Sequence, residues 1–230
     1  MKKTSMRLHI AELAPTQPTI GAFEVRLKAD RFALMSPHDT QGYLDAKRRK
    51  GKPVLVVKGP GAYFLVDGHH TMSGIRAADL VQEVTVMQVA DLSGTTDVDA
   101  FWAEMQQRGW ALCRAHGEDC GRDTIPRALT DLADDPYRAL AWLIRKMGAY
   151  DDLKRPYQEF EIADFLRARM PFAPTLSYQY ERAALHAYEL MRSEAASGLP
   201  GYRQAEAETN LVRRYYDVLA KARAPRVYRD

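Results

Sequence analysis

One short run constrains this chain more than any other. The β-rich stretch Tyr63-Phe64-Leu65-Val66 leads directly into Asp67-Gly68-His69-His70-Thr71, after which Met72, Ile75 and Ala78 recur at helical spacing. A strand that becomes a helix within two residues needs an abrupt backbone reversal, which glycine makes without a steric penalty. The turn leaves one carboxylate and two imidazoles at a helix N-terminus, where the helix dipole favours anions and disfavours protonated imidazole. A neutral histidine there can donate a hydrogen bond to an anion or carry a proton. The same residues also fit a plainer reading, with Asp67 capping the helix, Gly68 making the turn and the imidazoles satisfied internally.

The segments around this corner build a sheet. Val54-Leu55-Val56-Val57 is a second β-rich run, and Lys58-Gly59-Pro60-Gly61-Ala62 joins it to the first as a hairpin connection. Residues 84–89 give another strand, and residues 8–13 alternate well enough for a short one. Pro15 and Pro18 then require an extended segment. Apolar spacing over residues 20–34 predicts an amphipathic helix, and Ser36-Pro37-His38-Asp39 opens another, with Asp39 as its cap and its end near Gly51.

After a boundary at residues 91–96 the pattern is helical throughout: 97–107, 125–133, 136–147, 157–169, 177–194 and 202–222. Pro136 suits a first turn behind Asp134-Asp135, and Gly148 suits a C-terminal stop. The expected fold class is therefore α/β (α+β): a small mixed sheet with helices over residues 1–95, followed by an all-helical domain over residues 96–230.

A chain of 230 residues buries enough apolar surface for a real core, and its formal charge of +3 is mild for that length. Electrostatics alone thus does not require a nucleic-acid partner, and any such case rests on local basic runs. Two stand out: Lys47-Arg48-Arg49-Lys50, and the C-terminal set Arg213, Arg214, Lys221, Arg223, Arg226 and Arg229 interleaved with Tyr215, Tyr216 and Tyr228. Both also read as solvated helix faces. No apolar run is long enough for a membrane helix, and no h-region follows the basic start, so a soluble cytoplasmic protein is expected. Cys113 and Cys120 are too few for a disulfide scaffold and lack companion ligands for zinc, leaving them as buried or surface thiols.

The strand-Asp67-Gly68-His69-His70-helix run resembles the signature corner of the ParB/sulfiredoxin superfamily. Two further stretches, Leu13-Ala14-Pro15-Thr16-Gln17-Pro18-Thr19-Ile20-Gly21-Ala22-Phe23-Glu24-Val25 and Asp134-Asp135-Pro136-Tyr137-Arg138-Ala139-Leu140-Ala141-Trp142, are similar to the bacterial ParB-like nuclease family. The resemblance implies a nucleotide or phosphate pocket at the corner. Gly68, His69, His70 and Thr71 would hold ATP, ADP or CTP, and Asp67 would take Mg2+. The Asp-Gly-His-His motif also resembles that of a free serine kinase, and by that likeness Glu24 stands as general base beside Asp67, His69 and His70.

The chain departs from its superfamily in ways that matter chemically. Partition ParB proteins place arginines after the glycine, whereas this chain has His69, His70 and Thr71 and so lacks the bidentate clamp on phosphate. Sulfiredoxin chemistry needs a cysteine near the corner, and Cys113 and Cys120 are distant in sequence.

Three functions compete on these residues. The first is Mg-dependent phosphoryl transfer or nucleotide hydrolysis on a nucleotide or phosphorylated small molecule. The second is phosphodiester cleavage of nucleic acid held by residues 47–50 and the C-terminal basic helix. The third is a non-catalytic module that binds a ligand or partner.

Overall fold

The computed structural model describes residues 4–155, 157–174, 178–204 and 210–227. Tyr228 and Arg229 of the C-terminal basic set, and Ser177 at the start of one expected helix, lie outside the described residues. The chain forms two compact units. The first comprises Met1–Ile20, Val25–Ala133 and Ala224–Asp230, and the second comprises Gly21–Glu24 and Asp134–Arg223.

In chain order the first unit carries β1 (Thr4–His9), β2 (Leu13–Ala14), β3 (Thr19–Ile20), most of α1 (Ala22–Ala33), α2 (Pro37–Arg49), β4 (Leu55–Gly59), β5 (Ala62–Asp67), α3 (His69–Ala78), β6 (Glu83–Asp91), α4 (Val98–Gln107), β7 (Arg114–Ala115) and β8 (Glu118–Asp119). Five of these strands form one mixed sheet in the order β1-β6-β4-β5-β2. β1 with β6 and β4 with β5 are antiparallel, while β4 with β6 and β2 with β5 are parallel. The expected hairpin is present, closed by Pro60-Gly61 with Gly61 at φ +74°, the positive value that a Pro-Gly turn needs at its second residue.

Side-chain alternation along the central strands sends Val56 and Leu65 to one face and Val57 to the other. The first face packs with Leu8, Ile10, Met72, Ile75, Val84 and Val86; the second packs with Phe101 and Met105 of α4. This is why the first unit extends beyond the expected boundary at 95/96. Without α4 one face of the sheet would lie open, and the division falls instead at 133/134.

Three local expectations are corrected. The strand expected at residues 8–13 lies earlier, because His9 accepts from Ala11 and starts a single 3-10 turn, Ile10–Glu12. Ser36, not Asp39, caps α2: its Oγ accepts from the Asp39 amide at 3.0 Å and donates to the Asp39 carboxylate at 2.7 Å. Residues 125–133 make no α-helix. Their one helical turn is the 3-10 turn Leu129–Asp131, since Pro126 can neither donate in a helix interior nor let its predecessor be helical, and Ala133 begins the short strand Ala133–Asp134.

The second unit is helical: α5 (Pro136–Met147), α6 (Gln158–Arg167), α7 (Gln179–Arg192) and α8 (Leu211–Arg223), with the first turn of α1. α5 is almost wholly buried, from Arg138 to Ile144, and lies at the centre of the unit. Of the helix expected over residues 202–222, α8 covers the stretch from Leu211, and residues 205–209 lie outside the described residues. Residues 202–204 are irregular, following Gly201 at φ +77°.

Candidate functional site

The corner forms as the sequence requires. Gly68 takes φ +99° and ψ 14°, ending β5 and serving as the N-cap of α3, whose Thr71 and Met72 amides donate to the Gly68 carbonyl. No side chain caps the helix; Asp67 is exposed at the strand end and does not reach back to do so.

The two histidines separate into different roles. His69 is buried, and its Nε2 accepts from the Thr16 amide at 3.1 Å, which places the ring proton of the neutral form on Nδ1. It is therefore a positioning residue rather than an imidazole open to solvent. His70 remains half-buried. Thr71 is also buried, and its hydroxyl accepts from the Lys47 ammonium at 3.4 Å. A basic side chain from α2 thus stands at the first turn of α3, next to the helix end that already favours negative charge.

Thr16 could not have been singled out from composition or spacing. It lies in the run of residues 13–20, every member of which is buried. A buried irregular segment must pair its backbone groups elsewhere. The Thr16 hydroxyl donates to the Leu65 carbonyl at 2.6 Å, its carbonyl accepts from Leu112 at 3.0 Å, and its amide is held by His69. Gln17 folds back to the Thr19 carbonyl at 2.8 Å, and Ala133 donates to the Pro18 carbonyl at 3.2 Å. Proline at residues 15 and 18 removes two donors that would otherwise need partners.

Tyr43 on α2 is a second residue that the sequence did not mark. The guanidinium carbons of Arg31 and Arg226 lie 6.0 Å and 5.7 Å from its ring centre. Burial pushes its phenol up, but Lys28, Lys47, Arg31 and Arg226 together outweigh that and leave it below the ordinary tyrosine range. The phenol should therefore ionise earlier than free tyrosine. An alkaline ultraviolet titration differenced against Tyr43→Phe isolates it, and a difference band emerging no earlier than that of free tyrosine would contradict the cation cluster.

Glu24 belongs to the second unit. It is buried in the first turn of α1, and its charge acts on Arg138 and Arg145. Arg138 is itself buried, with its guanidinium 3.3 Å from the centre of the Phe160 ring. Burial draws that guanidinium below its usual range, opposed by Glu159, Asp135 and Glu24.

The neighbouring Asp134 and Asp135, expected to act together ahead of α5, divide the work. Asp134 accepts from the Ala22 amide at 2.8 Å and so caps α1. Asp135 accepts from Tyr137 at 3.1 Å, capping α5, and pairs with Arg167 at 2.6 Å.

Among the described residues no three His, Cys, Asp or Glu side chains gather as a metal site. Asp67 alone could hold Mg2+ only in the manner usual for that ion, with phosphate oxygens and water completing the shell. Of the C-terminal basic set, Arg214 donates to the Met147 carbonyl at 3.0 Å, Tyr215 is buried, and Tyr216 donates to Glu181 at 2.5 Å. Much of that helix is therefore committed to internal structure. No described helix is long and apolar enough to cross a membrane.

The chain matches the family described as "Putative ParB-like nuclease" over residues 6–168. It is also similar to the crystal structure of protein Atu1540 from Agrobacterium tumefaciens, with 29% sequence identity and a TM-score of 0.73, covering 89% of this chain and 99% of that one. No curated protein matches. The family match takes in the buried run at residues 13–20, the Gly68 corner and the double aspartate, and because it spans more than half of the chain, this chain belongs to the ParB-like nuclease family.

Proposed function

We propose that this ParB-like protein binds a phosphate-bearing ligand, a nucleotide or phosphorylated small molecule, at the β5–α3 corner. The observation that carries this reading is the Lys47 ammonium at the first turn of α3, 3.4 Å from the Thr71 hydroxyl, beside a helix end without a side-chain cap. Backbone amides at such an end suit a phosphate, and an ammonium adds charge that a neutral ligand would not need. Three of the cations around Tyr43, Lys28, Arg31 and Lys47, lie on α1 and α2, and with Arg226 from the chain end they add to that positive field.

In this reading Gly68 permits the turn, His69 fixes it through Thr16, and Thr71 orients Lys47. His70, half-buried, is the imidazole that would donate to phosphate or move a proton. Asp67 would hold Mg2+ together with the ligand's own oxygens. The metal would neutralise phosphate charge for phosphoryl transfer or hydrolysis. The reading stands without Glu24, whose charge is engaged by Arg138 and Arg145.

Melting the protein with ATP, ADP, CTP and inorganic phosphate, each with magnesium, tests it. At a hundred times Kd a ligand adds about 2.7 kcal/mol to the folded state, or roughly 5–10 °C for a chain of this size. Lys47→Ala should weaken the effective ligand about tenfold or more, the worth of one charge-assisted hydrogen bond. His70→Ala should lower turnover more than affinity. A melting temperature indifferent to all four ligands would remove the proposal.

Phosphodiester cleavage is the second reading, favoured by the family description and by Lys47, Arg48, Arg49 and Lys50 at the end of α2. It requires retention on DNA or RNA that falls steeply with salt and weakens when those four residues are neutralised.

A further inference from the structure

We infer that Cys113 and Cys120 form an oxidation site, in which Cys120 meets the oxidant and Cys113 closes the product into a reversible disulfide. β7 and β8 make a small hairpin in which Arg114 faces Asp119 and Ala115 faces Glu118. Its two-residue connection, His116-Gly117, has φ of +51° and +90°, the pair of positive values that a type I′ turn requires. That turn fixes the register, and the next facing pair outward is Cys113 with Cys120, whose amide donates to the Cys113 carbonyl at 3.0 Å.

Directly opposed residues in an antiparallel pair put their side chains on the same face. Their Cα atoms stand about 5.5 Å apart in a hydrogen-bonded pair, inside the roughly 4.4–6.8 Å that a disulfide spans. The Arg114–Asp119 ion pair at 2.7 Å ties the adjacent rung.

Exposure sets the order of events. Cys113 is buried and Cys120 only partly so, with the Thr124 hydroxyl 3.1 Å from the Cys120 sulfur. Burial, with the neighbouring Cys120 adding to it, raises the Cys113 thiol above its ordinary range, which makes it the slower nucleophile toward a solvent oxidant.

With hydrogen peroxide as oxidant, the Cys120 thiolate attacks one peroxide oxygen and the O–O bond breaks. Cys120 becomes a sulfenic acid, and the leaving oxygen takes a proton to become water. The Cys113 sulfur then attacks the sulfenic sulfur, and the hydroxyl leaves with the Cys113 proton as a second water. Two thiols are oxidised by two electrons and one peroxide is reduced to two waters. A dithiol reverses the link by exchange.

Arg114 lies inside the loop the disulfide would close, which gives a direct readout. After treatment with hydrogen peroxide, intact-mass measurement should show a loss of two hydrogens, and both thiols should vanish from a thiol titration. Tryptic cleavage after Arg114 should then yield peptides that stay joined until a dithiol is added. Cys113→Ala should stop at a sulfenic acid on Cys120 that dimedone traps, and Cys120→Ser should leave Cys113 reduced under the same exposure. Two thiols surviving in the wild-type chain, a link only between molecules, or dimedone on Cys113 would each overturn the inference. The wild-type mass and peptide measurements decide it even where a variant does not fold.

Discussion

Asp135→Ala is expected to destabilise the protein by about 3–5 kcal/mol, the usual result of removing one partner from a buried ion pair. The carboxylate is buried and does three things at once. It caps α5 through the Tyr137 amide, pairs with Arg167, and lends its charge to the buried Arg138. The cap by itself accounts for about 1 kcal/mol. The larger part arises because Arg167 loses an acceptor and Arg138 keeps its burial with less opposing charge. Asp134→Ala is the matched control, since that neighbour is exposed and accepts from the Ala22 amide. Urea denaturation of both variants should separate them by at least about 2 kcal/mol. Equal losses would mean that capping explains both residues and that the pair with Arg167 contributes little.

The second large effect concerns a contact with no side chain on one side. A Cβ built on Gly21 would come within 2.6 Å of the Ala139 amide nitrogen and 2.8 Å of its Cα. Both are backbone atoms in the buried first turn of α5, so no rotamer change relieves them. Gly21→Ala should therefore force the start of α1 away from α5, at about 3 kcal/mol by comparison with other overpacked cores. For a chain of this size that is roughly 6–12 °C of melting temperature. Because Ala22 and Phe23 follow directly, the hydrogen bond to Asp134 and the stacking of Phe23 on Tyr180, 4.1 Å between ring centres, should weaken with it. A variant melting within a degree of the parent would show that α1 begins without this close approach.

These two positions illustrate what could be read from the sequence and what could not. The corner at Gly68 was legible because a strand and a helix meet there with too little chain between them for any other turn. The hairpin at Pro60-Gly61 was legible for the same kind of local reason. The family likeness was carried by residues 13–25 and 134–142. Their physical role was not readable, because it comes from partners far along the chain: Thr16 is held by residues 65, 69 and 112, and Asp134 caps a helix that starts at residue 22. His69 and His70 looked equivalent in sequence, yet a one-residue step along a helix turns one ring to Thr16 and leaves the other half-buried. Lys47 was visible only as part of a basic run, and Tyr43 only as an apolar-face residue, because the charges gathered around Tyr43 come from α1, α2 and the chain end, which only the fold assembles. The boundary at 95/96 followed a change in local pattern, while the units are divided by which face of the sheet needs covering, a question that α4 answers.

The double aspartate has a consequence for how this chain can vary. α1 and α5 both take their starting points from one dipeptide, so neither can be shifted along its axis without the other losing its cap. An insertion or deletion between Asp134 and Asp135 would set one helix out of step by about a third of a turn. Changes in length are more easily accommodated elsewhere, and this point acts as the common datum from which the helical unit is laid out.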